Sequence, residues 1–339
     1  MSLTGTKPRH LDTRSFGRLA YKHRWTSYHM DEQSPGRDGG IRPSVQQEAI
    51  LVIGEVLWDV FADSITLGGA PLNFAAHLQR LGHHPLLVSA VGKDELGERA
   101  SRSIAGLGLD VALLRRSAKW KTGTAMVGLD ATGQPSFRIE RPAAYDDLTL
   151  SDSDLRLVRD KQPSWLYYGT LFPSLPEPMA ALRLIVQALP AAKRFYDVNL
   201  RPGFDSPELV SDLIAEANVV KLNETEMEQI GAMLGLPSDA EGFCRSGAER
   251  FGWSAVCVTL GADGCAMLRG AEYVRTPGRP IQVADTVGAG DAFAAAFLHG
   301  LMADLPLDEI ANLSNRVGAL VASRAGAIPD WNLAETATI

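Results

Sequence analysis

Residues 285–301 read Asp285-Thr-Val-Gly-Ala-Gly-Asp291-Ala-Phe-Ala-Ala-Ala-Phe-Leu-His-Gly-Leu301, a glycine-rich turn and an acid that open an apolar, alanine-rich stretch. Gly288 and Gly290 can adopt backbone angles closed to other residues, so successive N–H groups can converge on an anion where a helix begins. Asp291 is then placed to accept a proton from a hydroxyl that attacks a phosphoryl group. A plainer interpretation stays open, in which the glycines form a tight turn and Asp291 caps the helix.

Short apolar runs alternate with helical patterns from residue 49 onward. The runs that predict buried strands are 49–53, 86–91, 165–168, 195–198, 219–222 and 255–260. The patterns that predict helices are 73–81, 95–107, 179–189, 207–217, 240–251 and 307–324. Because strands that alternate with helices form a mostly parallel sheet, we expect an α/β fold with helices on both faces of the sheet.

One segment departs from this alternation. Residues 124–130 and 136–140 flank a turn-forming stretch, and Phe137 and Ile139 alternate with polar neighbours, which predicts a hairpin. With segment 56–67, this hairpin within about 122–141 is expected to form a small sheet that stands off the main body as a lid. A lid suits phosphoryl transfer because water must be kept from a reactive phosphate.

Composition limits the function classes. The 339 residues are 45% hydrophobic and 22% charged, which is ordinary for a globular chain, and the net charge of −7 argues against nucleic-acid binding. Cys244, Cys257 and Cys265 lack zinc or redox spacing, so we interpret them as reduced packing residues. No apolar run approaches the length of a membrane span and no secretory pattern opens the chain, so we expect a cytoplasmic protein without a membrane partner.

Residues 1–48 differ from the rest of the chain. They contain eight Lys/Arg against five Asp/Glu and little apolar periodicity. We expect a poorly ordered N-terminal extension there, followed by one α/β domain over 49–339. Asp12, Asp31 and Glu32 argue against a targeting peptide.

A second glycine motif lies at residues 67–82, where Gly68 and Gly69 lead into a helical pattern that ends at Gly82. A ligand can approach the backbone closely at the double glycine, and Asn73 can donate and accept hydrogen bonds to hydroxyls. A loop, a helix and a glycine stop without any ligand would give the same pattern.

Two further motifs follow predicted strands. In residues 221–226, Asn223 and Glu226 are three apart, so they share one face of a helix and suit a magnesium ion that keeps most of its waters. A helix cap with an acidic first turn explains that pattern about as well. Residues 259–264 end a strand in a glycine turn, either a hairpin connection or a wall for a nucleotide.

The order of these motifs over residues 54–329 resembles the ribokinase-like (PfkB) sugar kinase family. The motifs appear as Gly-Gly…Asn, Asp-x-Asn-x-Arg, Asn-x-x-Glu, Thr-Leu-Gly-x-x-Gly and Gly-Ala-Gly-Asp. The resemblance implies a doubly wound α/β fold with a small β lid. It also implies an enzyme that uses ATP and Mg²⁺ to phosphorylate a primary alcohol of a small sugar.

The resemblance also implies roles for individual residues. Asp291 resembles the catalytic base, and the N–H groups of Ala289, Gly290 and Asp291 resemble the anion hole, with Gly288 in the same catalytic turn. The sugar side corresponds to Asp59, Gly68, Gly69, Asn73, Arg201 and Asp285, and the nucleotide side to Asn223, Thr259, Gly261, Gly264 and Asn315. Glu226 is expected to reach Mg²⁺ through water, and a monovalent cation such as K⁺ is expected beside Asp285 and residues 323–327.

The substrate is inferred from smaller differences within the family. Ribose kinases of this family carry a lysine after the double glycine, whereas this chain has Ala70-Pro71. Segments 54–59 and 197–202 look more like the fructokinase and 2-keto-3-deoxygluconate kinase branches. Arg201 could bind the transferred phosphate or an acidic sugar, or form a surface salt bridge.

We favour D-fructose, converted to fructose 6-phosphate. The alternatives are a 2-keto-3-deoxygluconate or nucleoside kinase and, from another class, a catalytically silent sugar-binding regulator. Relatives often pair through an exposed lid face, so a homodimer through the lid is also expected.

Overall fold

The computed structural model describes residues 48–129 and 135–339. The expected N-terminal extension, apart from Glu48, and the turn of the predicted hairpin lie outside the described residues. Within the described part of the chain, none of the helices is both long and apolar enough to cross a lipid bilayer.

The main sheet has the order β13-β12-β11-β10-β9-β8-β1-β4-β5. Its strands are β1 (Ile50–Ile53), β4 (Pro85–Gly92), β5 (Leu114–Ser117), β8 (Trp165–Gly169), β9 (Lys193–Asp197), β10 (Val219–Asn223), β11 (Ala255–Thr259), β12 (Cys265–Arg269) and β13 (Glu272–Thr276). Neighbours from β11 to β5 pair parallel, and the last two pairs at one end of the sheet, β11–β12 and β12–β13, are antiparallel. The predicted mostly parallel sheet is confirmed.

The chain winds in both directions from β1. It first adds β4 and β5 on one side and later adds β8 to β11 on the other, so the strand order reverses between β1 and β8. In open α/β sheets a crevice for ligands opens beyond the carboxyl ends of the strands at such a reversal.

Alternating burial explains why helices cover both faces of the sheet. Successive residues of β1 point to opposite faces, so Ile50 and Val52 enter one core while Leu51 and Ile53 enter the other. The first core includes the helical segments 70–80, 289–302 and 307–322, and the second includes the helical segments 176–188, 207–216, 224–234 and 240–251. All four β1 residues are fully buried, as expected for a central parallel strand.

The helices are α1 (Ala70–Arg80), α2 (Glu95–Gly106), α3 (Asp152–Lys161), α4 (Pro176–Ala188), α5 (Pro207–Glu216), α6 (Glu224–Leu234), α7 (Ala240–Phe251), α8 (Ala289–Met302) and α9 (Leu307–Ala322). Helix α1 begins three residues earlier than its pattern predicts. Pro71 lies in its first turn, where a missing N–H costs no intrahelical bond, so the proline extends the helix instead of ending it.

A second, four-stranded sheet has the order β3-β2-β6-β7. Its strands are β2 (Leu57–Val60), β3 (Ile65–Gly68), β6 (Gly123–Leu129) and β7 (Pro135–Ile139). β6 and β7 pair antiparallel as the predicted hairpin, and β2 pairs parallel with β6. Segments far apart in sequence therefore build the small sheet that the sequence predicts.

Candidate active site

A cavity of about 270 Å³ lies between the small sheet and the carboxyl edge of the main sheet. Its lining includes Asp59, Gly69, Asn73, Arg201, Asn223, Glu226, Thr259, Gly288, Gly290 and Asp291 from the predicted site residues. It also includes Glu55, Leu57, Ala70, Ala125, Ile139, Leu171, Asn199, Lys221, Thr286 and Val287. Gly68, Ala289, Gly261, Gly264, Asp285 and Asn315 do not line it.

The turn before α8 depends on Gly288. This residue is the N-cap of α8 with φ 79°, a left-handed conformation that glycine adopts without strain. A Cβ at this position would lie 2.4 Å from the carbonyl oxygen of Ala327, so a larger residue would also clash. The Ala289 N–H donates to the Thr286 carbonyl oxygen at 3.3 Å, while Gly290 and Asp291 face the cavity at the amino end of the helix.

Asp291 lies in the first turn of α8 and is 9% exposed. Its Oδ2 accepts a hydrogen bond of 2.8 Å from Nδ2 of Asn73 on α1. Burial, and then the charge of Asp197, raise the pKa of Asp291 to about 7, against the lowering effects of Asn73 and Lys221. A carboxyl with a pKa near neutrality can take up and release a proton under ordinary conditions.

A buried ion pair lies behind this carboxylate. Lys221 in β10 donates from Nζ to Oδ1 of Asp197 at 3.0 Å, and the Tyr167 hydroxyl donates to Oδ2 of Asp197 at 3.1 Å. Lys221 and Asp197 are the first residues of the motifs 221–226 and 197–202, but neither has a predicted role. The sequence signal that could have identified Lys221 as a functional residue is a lysine within an otherwise apolar strand pattern.

The small-sheet end of the cavity holds two further carboxylates. Asp59 on β2 is 6% exposed, and burial raises its pKa to about 6 although Arg201 lowers it. Glu55, which the sequence analysis missed, is 5% exposed, and burial raises its pKa to about 7. Its Oε2 has no hydrogen-bond partner among the described residues, so it can accept a hydrogen bond from a ligand hydroxyl.

The double glycine makes room for these carboxylates. A Cβ at Gly68 would lie 2.4 Å from Oδ2 of Asp59, and a Cβ at Gly69 would lie 2.5 Å from the carbonyl oxygen of Glu55. Gly69 also has φ 111° as the N-cap of α1. Arg201, on the loop after β9, donates from Nη1 to the Leu200 carbonyl oxygen at 3.0 Å and lowers the pKa of Asp59 from across the cavity.

Asn223 and Glu226 form a capping box at the start of α6. Asn223 Oδ1 accepts from the Glu226 N–H at 2.9 Å, and Glu226 Oε2 accepts from the Asn223 N–H at 2.8 Å. Glu226 Oε1 also accepts from the Leu200 N–H at 2.8 Å, so the carboxylate links α6 to the loop that carries Arg201. The capping interpretation of this motif is correct, and both side chains also line the cavity.

The hydrogen bonds of Glu226 limit the ways in which the cavity could hold a metal ion. Within residues 48–129 and 135–339, no group of three or more His, Cys, Asp or Glu side chains could surround a metal ion. Glu226 is a carboxylate in the cavity with both oxygens already accepting backbone N–H groups. This donor set fits a Mg²⁺ ion that keeps most of its waters and takes its other ligands from phosphate oxygens.

The remaining predicted nucleotide residues lie beside β11. Thr259 lines the cavity and donates from Oγ1 to the Leu222 carbonyl oxygen at 3.4 Å. Gly261 and Gly264 have φ 58° and 93°, and a Cβ at Gly264 would lie 2.1 Å from the Thr276 carbonyl oxygen. Asn315 on α9 donates from Nδ2 to the Pro277 carbonyl oxygen at 3.1 Å, outside the cavity lining.

Asp285 also lies outside the cavity lining. Its Oδ1 accepts from the Val287 N–H at 3.0 Å and its Oδ2 accepts from the Gly326 N–H at 3.0 Å. The side chain therefore fastens the turn before α8 to the turn that follows α9.

Comparison with known proteins identifies similar kinases. A fructokinase from Klebsiella pneumoniae is 32% identical over 301 residues, which span 82% of this chain and 94% of that protein. Fructokinase-1 from Oryza sativa subsp. japonica is 30% identical over 280 residues, which span 77% of this chain and 84% of that protein. The crystal structure of an uncharacterized sugar kinase from Pyrococcus horikoshii in complex with ATP matches with a TM-score of 0.72 and 25% identity, covering 84% of this chain and 96% of that one.

The sequence profile of the pfkB family carbohydrate kinases matches residues 44–333, most of the chain. The doubly wound sheet, the small second sheet and the cavity between them lie within the matched range. The chain belongs to the pfkB family of carbohydrate kinases.

Proposed function

We propose that this carbohydrate kinase transfers the γ-phosphoryl group of ATP to a primary hydroxyl of D-fructose, giving fructose 6-phosphate. The observation that carries the proposal is the buried Asp291, held by Asn73 at 2.8 Å where α8 begins. A proton acceptor and a helix amino terminus then face the same cavity, which is what transfer of a phosphoryl group to an alcohol requires.

In the proposed reaction, Asp291 removes the proton from the sugar hydroxyl as its oxygen attacks the γ-phosphorus. A new O–P bond forms, the bond between the γ-phosphorus and the bridging oxygen breaks, and ADP leaves with that electron pair. The N–H groups of Gly290 and Asp291 stabilise the charge on the transferred oxygens. Glu226 would hold Mg²⁺ through water, and the ion would neutralise charge on the phosphates when bound.

One feature of the cavity and the names of the relatives favour a neutral sugar. At the small-sheet end, Asp59 is mostly ionised at neutral pH and Glu55 is partly ionised, and a carboxylate accepts hydrogen bonds from hydroxyls but repels an acidic sugar. The curated relatives described above are named fructokinase, which agrees with D-fructose. Arg201 in the same cavity is the specific observation that keeps 2-keto-3-deoxygluconate as a second candidate.

A sugar panel tests the proposal. The chain is assayed for ADP release with ATP, Mg²⁺ and KCl, the last because K⁺ is expected beside Asp285. D-fructose, 2-keto-3-deoxygluconate, D-ribose and a nucleoside serve as acceptors, and we expect the highest kcat/KM with D-fructose and fructose 6-phosphate as the product. A higher kcat/KM with another acceptor would reassign the substrate. Sugar binding by calorimetry without any ADP release would identify a silent binding protein instead.

A further inference from the structure

Lys221 is an unusual residue for its position. Its neighbours in β10, Val220 and Leu222, are fully buried apolar residues, and Lys221 itself is 7% exposed. Burial alone would lower the pKa of Lys221, but the carboxylates around it, above all Asp197, raise the pKa above its usual value. The side chain therefore carries a positive charge inside the protein at neutral pH.

The hydrogen bonds of the ammonium group leave donors available. An ammonium has three N–H donors. Within the described residues, Asp197 is the only hydrogen-bond partner of Lys221 Nζ, and Asp197 directs its other oxygen to the Tyr167 hydroxyl. Lys221 also lines the cavity beside Asn223 and Asp291. Two donors can therefore reach oxygen atoms of a ligand in the cavity.

The position of the Lys221 ammonium favours an anionic ligand in the cavity. Nζ lies 3.5 Å from the position that a Cβ would take at Gly290, beside the amino end of α8. A helix amino terminus carries a partial positive charge and favours an anion, so a lysine there is unfavourable for the helix. A buried ion pair such as Lys221–Asp197 is also a weak source of stability compared with apolar residues of similar size.

We propose that Lys221 is a catalytic residue that donates hydrogen bonds to the oxygens of the migrating phosphoryl group, with Asp197 and Tyr167 as positioning residues. This inference rests on the proposed function, because it names a group for the same transfer. Lys221 keeps its proton throughout, and the bonds that form and break are those given above. Its ammonium and the Gly290 N–H then act on the same developing charge.

Three variants separate this role from that of a counter-ion for Asp197. Lys221→Met removes the charge at similar length, Asp197→Asn removes the partner, and the double variant K221M/D197N removes both. We expect K221M to lose about 10²–10³-fold in kcat with little change in the sugar KM. It should also lose stability, because Asp197 becomes a buried unpaired charge.

The double variant decides between the two roles. If Lys221 contacts the phosphoryl group, K221M/D197N recovers the thermal stability lost in K221M but stays as slow as K221M. If Lys221 only neutralises Asp197, the double variant recovers wild-type kcat, and the proposal is overturned. The single variant D197N keeps the ammonium and should lose less kcat than K221M.

A binding measurement gives a second readout that does not depend on turnover. Calorimetry compares ADP alone with ADP plus aluminium fluoride, a mimic of the migrating phosphoryl group, in the presence of Mg²⁺ and D-fructose. We expect the double variant to bind ADP like wild type but to lose the tighter binding that aluminium fluoride adds. Equal binding of aluminium fluoride by both proteins would refute the role of Lys221, whereas absence of sugar-dependent ADP release by wild type would refute the proposed function.

Discussion

At the scale of single residues, Asp291 combines a buried carboxyl with a neighbouring negative charge. Its pKa of about 7 results first from burial and then from Asp197. The hydrogen bond from Asn73 holds the ionised carboxylate in one orientation toward the cavity. The pKa of the proposed base is therefore brought close to neutral pH by burial and by the charge of Asp197, and a substitution can change either of these causes.

Asp291→Asn tests the base directly. We expect kcat to fall about 10²–10⁴-fold, because the amide cannot accept the hydroxyl proton. Because the pKa of Asp291 is raised in the folded state, wild type becomes less stable as the pH rises through that pKa. At pH 8 the variant, which lacks this buried charge, should therefore unfold at the same or a higher temperature than wild type. Thermal scans and ADP release measure both effects.

Asp304→Asn is the matched control for this experiment. Asp304 is exposed and follows the same helix, so its substitution should leave both measurements unchanged. Near wild-type kcat in Asp291→Asn would show that another group accepts the proton.

The pH dependence of kcat/KM for the sugar provides a second test at this scale. We expect kcat/KM to fall as the pH drops below about 7, because Asp291 becomes protonated and can no longer accept a proton. Asp197→Asn should move this acid limb to lower pH, since the charge of Asp197 raises the pKa of Asp291.

Glu55 is the other group whose protonation could cause the fall of kcat/KM at low pH, because its pKa is also raised to about 7. Glu55→Gln tests this alternative. The limb should move less in this variant than in Asp197→Asn, because Asp197 is the charge that raises the pKa of Asp291 most. A limb that moves in Glu55→Gln and not in Asp197→Asn would belong to the sugar-binding carboxylate.

At the scale of elements, the start of α6 uses the same side chains for folding and for the site. Asn223 and Glu226 satisfy each other's backbone N–H groups, and Glu226 also holds the Leu200 N–H. A capping box is a local device that the sequence pattern can reveal. Here the cap also places an amide and a carboxylate at the carboxyl edge of the sheet, where the nucleotide phosphates are expected.

Asn223→Ala should therefore have two effects. Loss of the cap should lower the free energy of unfolding by about 1 kcal/mol, and loss of the cavity amide should raise KM for ATP. Asp239→Ala is the matched control, because Asp239 caps α7 through a 2.8 Å bond from the Gly242 N–H and does not line the cavity. Urea denaturation and ATP titrations should show equal losses of stability but a raised KM only for Asn223→Ala. An equal rise in KM in both variants would mean that the effect is only structural.

At the scale of the whole molecule, Ala327 and Trp331, which follow α9, form hydrogen bonds to His77 in α1. Trp331 donates from Nε1 to Nδ1 of His77 at 3.1 Å, so Nε2 of the neutral imidazole carries the proton and donates to the Ala327 carbonyl oxygen at 3.0 Å. Burial lowers the pKa of His77 to about 4, which keeps the ring neutral. Ala327 in turn packs against Gly288 at the start of α8.

His77→Leu should break this long-range connection. The Trp331 N–H and the Ala327 carbonyl would lose their partner while buried, so we expect the free energy of unfolding to fall by about 1–3 kcal/mol. His84→Leu, at an exposed position close by, is the control and should change stability little. Equal urea midpoints for His77→Leu and wild type would show that this connection does not contribute to stability.

Part of this architecture was readable in the chain itself. The apolar runs predicted the central strands, the alternation around Phe137 and Ile139 predicted the hairpin, and the glycines at 68–69 and 288–290 marked close backbone approaches. The strands β12 and β13 and the early start of α1 were not predicted, although the turn at 259–264 was interpreted in one of two ways as the hairpin connection that joins β11 to β12. β13 is only partly buried and lacks an apolar run, and a proline in a first turn gives no distinct local signal.

The α/β class, the small sheet and the glycine turns follow from the order of residues along the chain, because alternating burial and positive φ angles depend on residues that are close in sequence. The folded chain is needed to bring Glu55 and Lys221 into the lining of one cavity with Asp291, and to bury Asp197 against Lys221. These groups come from the segment after β1, from β9, from β10 and from α8, and no local pattern records which strand ends meet. The pKa of Asp291 near 7 likewise depends on burial and on a charge from another strand, and both exist only in the folded chain.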